Sequence, residues 1–178
     1  MGTVHHPPKA VLFTGLLFNE GVDRAGARKI LQDALGPIIL ESEPFHFTES
    51  GYYAEEMGAP LLRVFVAYDN YLAMDRIAEI KYRTNRIESE VFSSGGRRRV
   101  NIDPGYLTNA KVVLATTKDY GHRIYLADGI YVEVTLRYNA KEKTFLPWQW
   151  TFRDYQREES LRFFRALRDI YTRRMKTG

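Results

Sequence analysis

His122 and Glu133 are the residues whose types and spacing best suit proton chemistry. They flank Asp128-Gly129, a dipeptide that favours a two-residue hairpin loop, and they sit in runs of strand-forming residues at 122–126 and 130–138. Such a loop pairs Leu126 with Tyr131, Ile124 with Glu133 and His122 with Thr135. His122 and Glu133 are then diagonal neighbours on one face, within reach of long side chains. An imidazole beside a carboxylate has a fixed tautomer and suits general acid–base work, so His122 and Glu133 are the candidate catalytic pair. A structural polar pair at the rim of the sheet is the competing reading.

A basic cluster precedes and overlaps the hairpin. Strand alternation over 97–102 sends Arg97, Arg99 and Asn101 to one face and Arg98 to the other. Guanidinium forks match the oxygens of phosphate and carboxylate. Glu41, Arg97, Arg99, Asn101, Asp103, Lys111, Lys118 and Arg123 are therefore the candidate ligand-binding residues. The expected ligand is a phosphorylated or otherwise anionic small molecule, nucleotides included, held between the loop 43–58 and the segment 97–123. A charged edge strand is the alternative. Glu41, Glu43 and Asp103 lack metal-ligand spacing, and neither an HExxH pattern nor an EF-hand loop occurs, so no metal is expected. No residue pattern identifies a cofactor, which is left unknown.

Two further function classes compete. Arg162, Arg165 and Arg168 recur every three positions near the C-terminus and form a stripe able to track a phosphate backbone, which makes an RNA or ribonucleoprotein adaptor the first alternative. A solvated helix face explains the same stripe. Phe45, Phe47, Tyr52 and Tyr53 crowd the 43–58 loop, either as an ordered lid or as a protein-interaction surface. Trp148 and Trp150 fall on opposite faces of an extended segment and read as a clamp for the last helix.

The chain that must position these groups has 178 residues, 44% hydrophobic and 27% charged, with a mean hydropathy of -0.38. That is a globular composition of one-domain size, and it excludes a disordered chain. No apolar run approaches the ~20 residues of a spanning helix. Cysteine is absent, which excludes disulfides, thiol catalysis and thiolate metal sites. Residues 1–8 lack the apolar core of a signal peptide and read as a short disordered lead before a single domain at 9–178, and a cytoplasmic location is expected. Net charge is +4, but residues 153–178 alone hold 8 Lys/Arg against 4 Asp/Glu, so the rest of the chain is neutral. Oligomeric state is not encoded in any of these features.

Apolar runs at 9–18, 38–42 and 61–68 read as strands. Ala27, Ile30, Leu31, Ala34 and Leu35 follow helical spacing after Asn19 or Asp23 as cap, and Gly36-Pro37 ends that helix. A second helix, capped by Asp69 or Asn70, carries Ile77, Ile80, Thr84, Ile87 and Val91. A fourth strand at 97–102 completes βαββαβ, the split βαβ of ferredoxin-like α+β folds. Asp103-Pro104-Gly105 reads as a turn. The first half of 106–117 leans to helix. The hairpin and a final amphipathic helix from Tyr155 to about Arg174 extend the unit.

Several stretches together resemble an uncharacterised prokaryotic family known as a domain of unknown function, number 4416. They are LFTGLLF at 12–18, GPIILESEPFHFTESGYYAEEMG at 36–58, NIDPGYLTNAKVVLATTKDYGHRIYL at 101–126, GIYVEVTL at 129–136, and 148–155. The resemblance implies a small cytosolic protein and carries no activity. Members sometimes bear a GTP-binding label, which these residues do not support. A GxxxxGK[ST] loop is absent, and Thr117-Lys118-Asp119 lacks the intervening residue of the guanine-reading pattern. His46-Phe47-Thr48 is similar to one of the two HxT motifs of 2H phosphodiesterases, but no second copy occurs.

Overall fold

A computed structural model describes residues 2–49 and 51–177. The side chain of Tyr52, which the aromatic loop was expected to include, lies outside the described residues. Strand β1 (Ala10–Asn19) is buried almost throughout. Ala10, Leu12, Leu16 and Phe18 face one cluster, and Val11 and Phe13 face another. A continuous apolar run thus encodes a central strand covered on both sides.

Helix α1 (Arg24–Leu35) starts at Asp23, whose carboxylate accepts from Ala25 N at 3.1 Å, and ends at Gly36 with φ 112°. Strands β2 (Ile38–Glu41), β3 (Phe45–Phe47) and β4 (Leu61–Leu72) follow, with the short helix α2 (Gly51–Met57) between the last two. The 43–58 stretch is therefore not a loop. β4 runs through Asp69 and Asn70, so neither residue caps helix α3 (Ile77–Glu90), which begins after a 3-10 turn at Met74–Arg76. Val91 ends α3 half exposed and leaves the expected stripe.

Beyond α3, Gly95 and Gly96 (φ 59° and 74°) turn a two-residue ladder, β5 (Ser93–Ser94) with β6 (Arg97–Arg98). Strands β7 (Val100–Leu107), β8 (Lys111–Thr116), β9 (Ile124–Ala127), β10 (Ile130–Asn139) and β11 (Thr144–Pro147) complete the strands. Helices α4 (Arg153–Gln156) and α5 (Glu158–Thr177) replace the single expected helix, because Arg157 is extended (φ -68°, ψ 150°). Residues 2–9 hold no helix or strand and are exposed.

The order β11-β10-β8-β7-β1-β4-β2 is antiparallel throughout, with β3 also on β4 and β9 on β10. Helices α1 and α3 pack on one face and α4 and α5 on the other. The fold is α+β, with five α-helices among the described residues. None of the helices is long and apolar enough to cross a membrane.

Asp103-Pro104-Gly105 is not a turn. It lies inside β7, opposite Gly15, Thr14 and Phe13 of β1. Likewise 106–117 holds no helix: β7 and β8 form a hairpin around 108–110, where Ala110 N donates to Thr108 Oγ1. Pairing to β1 overrides the local turn signal. Gly105 is needed for another reason, because a Cβ there would sit 2.4 Å from Val113 O and 2.5 Å from Phe13 Cζ. Gly105→Ala should therefore cost roughly 2–3 kcal/mol by overpacking. Urea unfolding checks this, and a change under ~0.5 kcal/mol would show that the strands can part.

Candidate functional site

β8 pairs with β7 only at Gly105, Tyr106 and Leu107. Residues 100–104 of β7 have β1 on one side and, among the described residues, no strand on the other. Helix α3 fills that edge with side chains. Ile102 N donates to Glu88 Oε1 at 2.7 Å, and Lys81 Nζ donates to Ile102 O at 3.2 Å. An unpaired buried backbone group costs as much as a lost hydrogen bond, so two charged residues belong on the buried stripe of α3.

Asp103 stands where the strands part, about a third exposed, and its carboxylate reaches both ways. Oδ1 is 3.8 Å from Lys81 Nζ, while Oδ2 is 3.7 Å from Arg63 Nη1 and accepts from Asn101 Nδ2 at 2.7 Å. Arg63, on β4, is 4% exposed, and α4 supplies Asp154 and Tyr155 at 2% and 1%. Arg63 Nε is 2.8 Å from Asp154 Oδ2 with its N–H directed off the oxygen, so that contact is ionic and leaves both atoms without a hydrogen bond. Arg63 Nη1 and Tyr155 Oη also lack partners. These four are the only buried side-chain polar atoms without a hydrogen bond among the described residues, and they lie in one place. Gly15 forms the floor: a Cβ there would meet Tyr155 Oη at 2.9 Å and Arg63 Nη1 at 3.2 Å.

Burial raises the Asp154 and Glu88 carboxyls above their usual range, with Arg63 and Lys81 respectively pulling them back. It also pushes the Tyr155 phenol well up, and takes Tyr53 to about 12 with help from the Asp103 charge.

Phe47 of β3 and Tyr53 and Glu56 of α2 lie against the cluster. The Arg63 guanidinium lies 5.4 Å from the centroid of the Phe47 ring, which meets Tyr53 edge-on. Arg98 ties α2 down by a fork to Glu56 (3.2 and 2.9 Å) and also binds Glu88 and Asn101, each at 2.8 Å. Burial opposes its charge, but the carboxylates outweigh burial and hold it firmly ionised. Arg157 holds β3, donating to His46 O at 3.2 Å and lying over Phe45.

Of the residues expected to bind a ligand, only Asn101 and Asp103 are in this cluster. Arg97 and Arg99 are exposed, and Arg99 reaches Gly21 O at 3.5 Å. The alternation assumed over 97–102 breaks at Arg99, because the β5–β6 ladder ends there, so Arg98 turns in and meets Asn101. Glu41 is taken by Arg24 and Arg28, three strands from Asp103. Lys111 starts β8 at the end far from the parting, opposite Arg137. Lys118 is exposed, and its carbonyl accepts from Arg123 at 3.0 Å.

His122 and Glu133 do meet, with Nε2 3.1 Å from Oε2. Asp128 and Gly129 (φ 51° and 75°) make the expected two-residue loop. The register differs, because an irregularity after Ile130 sets Tyr131 opposite Tyr125 rather than Leu126. Arg123, expected to bind a ligand, instead donates to the same Glu133 oxygen at 2.8 Å. Trp148 and Trp150 are stacked at 5.3 Å, and Trp150 stacks on His122 at 5.3 Å.

Arg63, Lys81, Glu88, Asp154 and Tyr155 were not anticipated. Their signal was present: Arg63 interrupts an apolar strand, and Lys81 and Glu88 share the helical spacing of Ile77, Ile80 and Thr84. Truncating a bonded buried hydroxyl typically costs ~1 kcal/mol, but Tyr155→Phe should leave stability unchanged or raise it, since Oη has no partner. Urea unfolding measures this, and a loss of about 2 kcal/mol would mean that Oη is bonded in solution.

No curated protein and no solved structure matches the chain. The family model described as "Domain of unknown function (DUF4416)" matches residues 8–171, nearly the whole length, and the chain belongs to that family.

Proposed function

We propose that this protein binds a small anionic ligand at the parting of β7 and β8, with Arg63 and Tyr155 donating to it. The carrying observation is the set of unpartnered buried atoms there. Three are donors, Arg63 Nε, Arg63 Nη1 and Tyr155 Oη, and one is an acceptor, Asp154 Oδ2. Buried polar groups are normally satisfied, so a cluster of orphans, where the other buried side chains among the described residues are satisfied, supports an acceptor-rich ligand. This reading keeps the pocket that the sequence suggests, between residues 43–58 and 97–123, but takes its donors from β4 and α4.

The order β2-β4-β1-β7 with α1 and α3 on one face fits the split βαβ arrangement of ferredoxin-like folds, extended beyond β7 by the hairpins and the last helices. In this arrangement the site lies where the added strands leave the core sheet.

His122 and Glu133 serve a positioning role in this reading. The Glu133 carboxylate is 2% exposed and shared by His122, Arg123 and Thr135, while the His122 ring lies between Tyr120 and Trp150. A carboxylate so fully engaged supports a fixed hairpin more than proton transfer. The RNA alternative is weakened by Arg165 and Arg168. The first contacts Thr144 and Glu158, and the second donates to Asn109 O and stacks on Tyr138. The interaction-surface alternative is weakened because Phe45 is buried and Phe47 packs on Tyr53.

Isothermal titration at low salt with inorganic phosphate, a sugar phosphate, a nucleoside diphosphate and a dicarboxylate tests the proposal. At least one should bind, and Tyr155→Phe should weaken it about tenfold, the worth of one hydrogen bond to a charged group. Arg97→Ser combined with Arg99→Ser should leave affinity unchanged. Absence of heat from every anion, or loss of binding in the Arg97/Arg99 variant, would overturn the assignment.

A further inference from the structure

Strand β2 and the last turns of α5 leave a gap between them at the edge of the sheet. This open cleft has a volume of about 370 Å³, within the range of small-molecule sites. It lies at the far end of β4 from Arg63. Tyr71, which lines it, is eight positions from Arg63 along that strand, ~26 Å at the usual rise. Ile39 of β2 and Ile170 of α5, both partly buried, give it apolar walls. Tyr71 is held in place by stacking on Tyr171 at 6.3 Å, and the Tyr171 hydroxyl donates to Lys9 O at 2.8 Å.

Two guanidiniums stand at this cleft without a carboxylate. Arg174 lies over the Tyr71 ring, 5.6 Å from its centroid. The Arg173 side chain is exposed and forms no ion pair or hydrogen bond among the described residues. Asp69 is exposed on the β4 side, and its carboxylate likewise has no ion pair among the described residues. The lining therefore carries two positive charges and one negative. Asp169 and Lys176, nearby on α5, cancel, and Lys9 beside Tyr171 adds to the positive sign. The dipole of α5 accounts for cations in its last turn. It does not account for a gap of ligand size, with apolar walls, beside them.

We propose that this cleft binds a small organic monocarboxylate, with the carboxylate on Arg173 and the apolar body between Ile39 and Ile170. A guanidinium fork matches a carboxylate, and Arg173 has its donors free while Arg174 stays over Tyr71. One negative charge answers the small excess of positive charge. A polyanion would also meet Asp69, which repels a carboxylate from the β4 side and directs it to the helix. The site is separate from the anion site at the parting of β7 and β8 and does not depend on it.

Titration of the full isotope-labelled chain with hexanoate, followed by amide NMR shifts, tests this. Saturable shifts should concentrate at Ile39, Asp69, Tyr71, Ile170 and Arg173. Acetate, which lacks the apolar body, and hexanamide, which lacks the charge, should each bind at least tenfold more weakly. Arg173→Gln alters an exposed side chain without a partner, so it should fold like the parent and bind hexanoate about tenfold more weakly. Tyr155→Phe should leave hexanoate affinity unchanged. Absence of saturable shifts at the cleft would overturn the site. Acetate binding as tightly as hexanoate would overturn the apolar contact. Hexanamide binding as tightly, or an unchanged affinity in Arg173→Gln, would overturn the role of Arg173. Shifts confined to residues 100–104 and Tyr155 would refute this cleft while supporting the site at the parting.

Discussion

Residues 100–104 of β7 have a strand on one side only, because β8 leaves the β7 ladder at Gly105. The backbone there is buried and its polar groups must still be satisfied. Helix α3 does so with Glu88 and Lys81, which puts a carboxylate and an ammonium into the protein interior. Neither charge is tolerable alone. Each is answered by others: Arg98 for Glu88, and Asp103 for Lys81. Asp103 in turn faces Arg63, and Arg63 faces Asp154. Among the described residues, the buried charges Arg63, Lys81, Glu88 and Asp154 all belong to this chain of pairs, and Glu133 stands apart from it.

The chain of pairs also links segments that are distant in sequence. Arg98 joins the end of α3 and β7 to α2 through Glu56. Arg63 joins β4 to α4. A buried ion pair adds little net stability compared with apolar residues, but breaking one is expensive because it strands the partner. Such a network holds its members in fixed positions relative to one another, which is what a ligand site requires. It ends on Arg63, Asp154 and Tyr155, where hydrogen bonding is incomplete. The second aromatic system behaves differently. The rings of Tyr120, His122, Trp150 and Trp148 follow one another in a stack with Arg137 over the last, and Trp150 Nε1 and Thr151 Oγ1 bond the β10 carbonyls at Val134 and Thr135. These side chains cover the β10 edge between β9 and β11, so the unanticipated pairing of the two tryptophans closes a sheet edge.

Amphipathic spacing placed α1 and the middle of α3 correctly, Asp23 and Gly36 bounded α1, and Asp128-Gly129 made its hairpin loop. These signals are local, and nothing distant opposed them. The failures came where a distant partner won. Asp103-Pro104-Gly105 carries turn chemistry, yet β1 holds it extended. Thr108 resembles a helix cap, yet it sits in the turn of a hairpin. Arg97, Arg98 and Arg99 were sorted by strand alternation, but a Gly-Gly turn gave the first two a ladder of their own, and it is Arg98 that meets Asn101.

Sequence alone determined β1, α1, β2, β4 and α3 in their order, the hairpin at Asp128-Gly129 and the meeting of His122 with Glu133, because each depends on neighbours a few residues apart or on one short hairpin. It also singled out Asn101 and Asp103, which belong to the charged cluster around Arg63. Only tertiary structure decided which cations face Asp103, since Arg63, Lys81 and Asp154 come from three other elements and meet through the strand order. The physical reason is the desolvation of charge. Local propensity does not register it, and it is resolved only when the packed chain shows which opposite charge or backbone group stands within reach.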